Sequence, residues 1–356
     1  MTHAVADQGE DVVERGGDGA RAFGTGAVQV NSGSVTVNLN AGTIANNFTL
    51  AAGTSVTIDN ATHNGTLSGN FSGAGTVTIQ NTSGANLSEN VSGNWSGLTG
   101  TLNYNTASKV VNFFAPASFD LSNAAVVFAN TGNITNSSFR TSGTTKFGSL
   151  AGFGYLDVVG TAQIGNLNTN TTFSGIIRDN GGAGTITKLG TGTLTLSGAN
   201  TNTGGYQING GKLSVGSSGA LGTTGSISFG GGALQYSASN TTDYSSRFST
   251  AASQAYSVDT NGQSVTWATA LTSSGGTLAK SGSGTLTLSG NSTYSGATSI
   301  SGGALLLSGT GAINSSSGIT INGSGAKFVQ TSSTAVSPVV TLTQGTVDGT
   351  GTINSL

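Results

Sequence analysis

Three observations in the sequence predict an all-β fold, a parallel β-helix or β-solenoid with coils of about 20 residues. The first is a long internal repeat. Lys188–Gly222 reads KLGTGTLTLSGANTNTGGYQINGGKLSVGSSGALG and Lys280–Asn314 reads KSGSGTLTLSGNSTYSGATSISGGALLLSGTGAIN, with GTLTLSG identical in both. The second is a finer period inside each copy. Leu194 and Leu196 are followed 19 residues later by Leu213 and Val215, and Leu286 and Leu288 by Leu305 and Leu307 at the same spacing. Ile208 and Ile227 keep it too, as do Ile300 and Ile319. The third is composition: 59 glycines, 2 prolines and only 7% charged residues, with short β-branched segments cut by Gly, Asn and Ser. Such segments read as strands and turns.

Each element follows from these patterns. The alternation Thr193-Leu194-Thr195-Leu196 places both leucines on one face and both hydroxyls on the other. Leu194, Leu196, Leu213, Val215, Leu286, Leu288, Leu305 and Leu307 are therefore the predicted core. The N-terminal half is looser, with strands expected at Ala27–Val30, Ser34–Leu39, Phe48–Ala51, Ser55–Ile58, Thr76–Gln80, Thr101–Tyr104 and Val110–Phe113. Val56 and Ile58 are followed by Val77 and Ile79 at a spacing of 21. No segment has the 3.6-residue period of a helix. Residues 1–26, with Asp7, Glu10, Asp11, Glu14 and Asp18 against Arg15 and Arg21, read as a polar tail or cap. They lack the basic start and apolar core of a signal peptide. Residues 27–356 read as one continuous solenoid. Within it, 239–270 brings aromatics at irregular intervals, which fits a loop leaving the solenoid or coils with one strand of odd length. A final coil ending at Ser355–Leu356 without a charged cap is expected to continue or to stack on another chain.

The 35% apolar content and net charge of −2 exclude a disordered chain, and the sparse proline excludes collagen. No Lys/Arg cluster provides a footprint for nucleic acid. No apolar run approaches the length of a membrane span. The absence of cysteine fits both export in an unfolded state and a fold that needs no disulfide.

The segment Gly190–Val215, GTGTLTLSGANTNTGGYQINGGKLSV, resembles the autotransporter-associated β-strand repeat of bacterial passenger domains. Its elements are a Lys-x-Gly-x-Gly-Thr-Leu-Thr-Leu-Ser-Gly start, a tyrosine-containing turn and an Asn-Gly-Gly-x-Leu end. Lys280–Leu307 keeps them, with Tyr294 and Gly302–Gly303. Phe147–Thr187 looks like the segments that join such repeats, so the resemblance covers the chain from Phe147 onward and the first 140 residues only in style. It implies a right-handed β-helix that is secreted or exposed on the outer surface of a bacterium, serving in adhesion, autoaggregation or presentation of other domains; stacking of open terminal coils adds fibre formation to the expected roles. The expected partners are further copies of the chain, end to end or laterally, or cell-surface and carbohydrate ligands.

Side chains able to do chemistry are few. His3 lies in the tail and His63 in a Thr-His-Asn-Gly turn, and no His or Cys pair has metal-ligand spacing. No catalytic residue, metal or cofactor is expected, and the chain reads as a non-enzyme. The acids after the tail are single, among them Asp59, Glu89, Asp120, Asp243 and Asp348. Asp157 and Asp179, 22 apart, are the pair that successive coils would bring together, as a carbohydrate-cleaving solenoid would require. The outward pairs Thr193/Thr195 and Thr285/Thr287 are candidate surface-binding residues, as hydroxyl ladders for ice or another ordered surface, against the plain role of exposed β-formers. Trp95, Trp267, Tyr236 and Tyr244 are candidate carbohydrate-stacking rings, with core filling as the competing role. The sequons at Asn47, Asn70, Asn90 and Asn94 are expected by chance in such a composition.

Overall fold

The computed structural model describes residues 4–6, 13–15, 26–39, 42–60, 64–81, 87–105, 111–129 and 138–356. The chain is an all-β parallel β-solenoid of about 14 turns, each of about 21 residues. Among the described residues there is no α-helix, only one 3-10 turn at Ser245–Arg247. Backbone contacts divide the solenoid into two units, Met1–Leu194 with Asn200–Gly204, and Thr195–Ala199 with Gly205–Leu356.

In the first unit the expected strands form with boundaries at most two residues from those expected: Val28–Val30, Ser34–Leu39, Phe48–Leu50, Ser55–Asn60, Thr76–Gln80, Thr101–Asn105 and Val111–Phe114. Each pairs in parallel with the equivalent strand one coil away, so identical positions of the repeat fall into columns. One inward column runs Val35, Val56, Val77, Leu102, Val126 and Leu150, all buried. A second runs Val37, Ile58, Ile79, Tyr104 and Phe128. A coil has too little apolar surface to close a core alone, and stacking supplies the missing partner above and below. Aromatic rings extend the interior, with Phe48 stacked on Phe71 at 4.8 Å and Phe113 on Phe139 at 4.4 Å between centroids. Trp95 bridges them, 4.4 Å from Phe71 and 6.0 Å from Phe113.

The corners are built from side chains that stand in for backbone. Asn47 Oδ1 accepts the Asn70 amide at 2.9 Å, and Asn70 Oδ1 accepts the Asn94 amide at 2.7 Å. Three of the four sequon asparagines thus stand in one exposed ladder, which accounts for asparagine at that corner. Asn70→Ala is expected to cost about 1 kcal/mol, read as a small drop in thermal midpoint, because water replaces part of the lost bond at an exposed site.

In the second unit one inward column runs Leu213, Leu234, Val258, Lys280, Ile300 and Ile321. Another runs Val265, Leu286, Leu305, Phe328 and Val347. The 19-residue spacing therefore holds where Leu286 meets Leu305 and Leu288 meets Leu307. It does not hold for the isoleucines: Ile208 stacks on Phe229 and Ile300 on Ile321, two residues further on. The coil has faces of unequal arc, so one period read along the chain does not fit every column.

Ser239–Ala270 includes the 3-10 turn and the strands Ala255–Asp259 and Ser264–Trp267. Phe248 bridges to Ile227, and Val258 pairs with Leu234. The extra length is gathered at a corner that Arg247 fastens, its guanidinium donating to the carbonyls of Leu221, Gly222, Thr224 and Gly225. Phe248 packs edge-on to Trp267 at 4.8 Å, and Trp267 Nε1 donates to Tyr236 Oη at 2.9 Å.

Candidate functional site

All eight predicted core residues are buried, and the threonines between them face outward, half-buried. Thr285 lies between Ser264 and Ala304, and Thr287 between Thr266 and Leu306, so this hydroxyl run ends after two coils. The regular hydroxyl face is elsewhere. Ser34, Ser55, Thr76 and Thr101 form one outward column, with Thr36, Thr57 and Thr78 beside it, ending at Asn103. Sequence reasoning missed it because the columns only emerge once the strand register is known.

Trp95, Trp267 and Tyr236 are fully buried and Tyr244 nearly so, which makes them core residues and removes them as carbohydrate-stacking rings. His3 and His63 lie outside the described residues. Among the described residues no three His, Cys, Asp or Glu side chains converge as a metal site would require.

The acids sort differently from their reading as single residues. Asp157 does not stack on Asp179, because its register partner is Arg178 and Asp179 aligns with Val158. Asp179 instead accepts from the Gly184 amide of its own turn at 2.7 Å and from Thr203 Oγ1, 24 residues on, at 2.6 Å; desolvation raises its carboxyl, and the bonds from Thr203 and Gly184 together outweigh it and hold the group below the usual range. Asp157 is clamped between coils: Arg178 donates through Nε to Oδ1, and Arg140 Nε lies 3.5 Å from Oδ2. Asp259 is buried in the second unit and bound by Lys212 Nζ at 2.6 Å and Gln235 Nε2 at 2.9 Å. Glu89 faces the interior, in register with Gly65 and Phe113, and burial pushes its carboxyl up to about 8.

The two long repeats share a feature that sequence reasoning left without a role. Lys188 occupies an inward column above Ile164, and Lys280 one between Val258 and Ile300; both are buried. Each ammonium curls back onto the corner that follows it. Lys188 Nζ donates to the carbonyls of Leu189 at 2.5 Å and Gly190 at 3.2 Å. Lys280 Nζ donates to Ser281 at 2.9 Å, Gly282 at 2.8 Å and Gly302 at 2.9 Å. Burial pushes both ammonium groups down to about 8, and Asp259 acts against that shift at Lys280. The signal was the lysine that opens both copies of the motif. The tyrosines, in contrast, are not equivalent. Tyr206 begins a strand, whereas Tyr294 lies in a corner and reaches Thr298, the start of the corresponding strand, at 2.6 Å.

A solenoid whose coils repeat a buried lysine, paired inward leucines and a Gly-Gly corner is a repeat protein in which the coil is the unit. The family described as passenger-associated-transport-repeat matches residues 186–215 and 278–307, the two segments that carry these lysines. The chain thus carries two repeats of the autotransporter-passenger kind. No curated protein matches the chain. No helix among the described residues is long and apolar enough to cross a membrane, a statement that does not bear on β-barrels.

Proposed function

We propose that this chain is a passenger segment, exported and displayed outside the bacterial cell, whose work is structural and adhesive and not catalytic. The observation that carries the reading is the pair of matched repeats, each building the same coil with the same lysine-fastened corner. Coil stacking satisfies the backbone along the whole length of a sheet and leaves outer faces of hydroxyl and amide groups, a wettable surface suited to many weak contacts. In this reading adhesion or aggregation arises from repetition along the faces.

The test is display. The chain, placed between an export leader and an outer-membrane β-barrel in a Gram-negative host, is expected to become accessible to antibody on intact cells. It is also expected to resist added protease and to increase cell settling or attachment to glycan-coated surfaces. Display without any change in settling or attachment would overturn the adhesive role. Failure to reach the surface, against a known passenger handled in parallel, would overturn the passenger reading itself.

A further inference from the structure

The described cations are almost all committed within the fold. Lys188, Lys280 and Arg247 hold backbone carbonyls, while Lys146, Lys212 and Lys327 each face one aspartate. The exception is the outward column Phe114, Arg140, Asp157 and Arg178, where two guanidinium groups share one carboxylate on successive coils. The carboxylate is nearly sealed, with its side chain 4% exposed, whereas the arginine side chains remain 30% and 31% exposed.

Both guanidinium groups are held in place. The Arg178 guanidinium carbon lies 3.9 Å from the centroid of the Tyr155 ring, and that of Arg140 lies 5.1 Å from Phe114. Arg140 Nε also donates to Ser138 Oγ at 2.9 Å, and Ser138 meets Asn112 at 3.1 Å. These contacts engage the Nε edges and one Nη of Arg178. The ordering cost of two long side chains has already been met in the fold, which favours recognition of a planar anion. Phe153, the last residue of the strand Thr144–Phe153 and two residues before Tyr155, is 39% exposed, one of the few large apolar side chains the described surface presents.

We infer that this face binds an acidic polysaccharide, with uronate carboxylates on Arg140 and Arg178 and a sugar ring lying on Phe153. The two arginines stand two coils apart, roughly 9–10 Å, a span of about two sugars in an extended chain. Arg140 and Arg178 against Asp157 leave this column one positive charge in surplus, which favours an anionic over a neutral glycan. Phe153, two residues before the Tyr155 ring that carries Arg178, offers a pyranose a stacking face and gives a bilayer little apolar area to enter. The inference names a ligand for the proposed adhesive role, but its test uses purified protein and does not depend on export.

The experiment is affinity electrophoresis of the full chain through gels containing polygalacturonate or neutral dextran, with flotation on phosphatidylglycerol vesicles alongside. Expected is retardation by polygalacturonate that weakens with salt, and none by dextran. Arg140→Gln and Arg178→Gln should each weaken it about tenfold, as the loss of a charge-assisted contact would. Phe153→Ala, at an exposed position that leaves the core intact, should weaken it severalfold with an unchanged thermal midpoint. Three outcomes would overturn the inference: no retardation, equal retardation of all three variants, or binding to the vesicles alone.

Discussion

Lys280→Met is expected to destabilise the second unit by about 3 kcal/mol, far more than the loss of a surface lysine. Methionine retains the apolar stem between Val258 and Ile300 but removes the donor from three carbonyls, those of Ser281, Gly282 and Gly302. The Ser281 carbonyl keeps the Thr260 amide at 3.3 Å, whereas leaving the Gly282 and Gly302 carbonyls without this donor costs about 1–3 kcal/mol each where water cannot reach them, and partial access at the corner keeps the total near the lower end. The corner cannot readily tighten to compensate. Gly303 has φ +61°, and a Cβ there would lie 2.2 Å from the Gly284 carbonyl oxygen and 2.9 Å from Lys280 Nζ. Urea unfolding followed through Trp267, which is buried in this unit, measures the loss. A midpoint within error of wild type would show that the ammonium does not fasten the corner.

The second large effect is a dependence on pH that differs between the units. Glu89 is raised by burial from an ordinary value of 4.5 to about 8, so the folded chain holds its proton where the unfolded chain has released it. Its stabilising contribution is complete below about pH 4.5 and is lost as pH rises through 8, at about 1.4 kcal/mol per unit. Lysine gives the opposite sign. Lys188 and Lys280 are lowered from 10.5 to about 8, so between these values the unfolded chain binds the extra proton and stability rises with pH. The first unit, with Glu89 and Lys188, is therefore expected to be weakest near pH 8. The second has Lys280 but lacks the fall below it. Trp95 emission in a Trp267→Phe background reports the first unit, and Glu89→Gln is expected to remove the fall between pH 5 and 8. A fall of the same size in the glutamine variant would assign it to another group.

The coil was legible in the sequence because its information is local. Alternation in TLTL fixes which face of a strand is apolar, and recurrence of the pattern fixes that coils stack. The buried leucines at 286, 288, 305 and 307 followed from that alone. The repeat GTLTLSG with its Gly-Gly corner also carried the resemblance to passenger repeats, matched at both places. Strands of the first unit were legible to within two residues for the same reason.

Register decided what the sequence left open. A shift of one residue moves a side chain to the other face, and coil lengths vary enough that counting along the chain does not settle it. Asp157 and Asp179 looked stackable at 22 residues, yet Asp157 meets Arg178 and Arg140. Glu89, Lys188 and Lys280 are charged residues in apolar columns, positions that composition assigns to solvent. What makes them tolerable is a carbonyl-lined corner for the lysines and an uncharged carboxyl for the glutamate. The sequence alone thus determined the β-solenoid and its repeating apolar face, since both depend on patterns within a coil. Only the tertiary structure decided which polar side chains meet, because those meetings join residues 17 to 47 positions apart whose alignment is set by the stacking of whole coils.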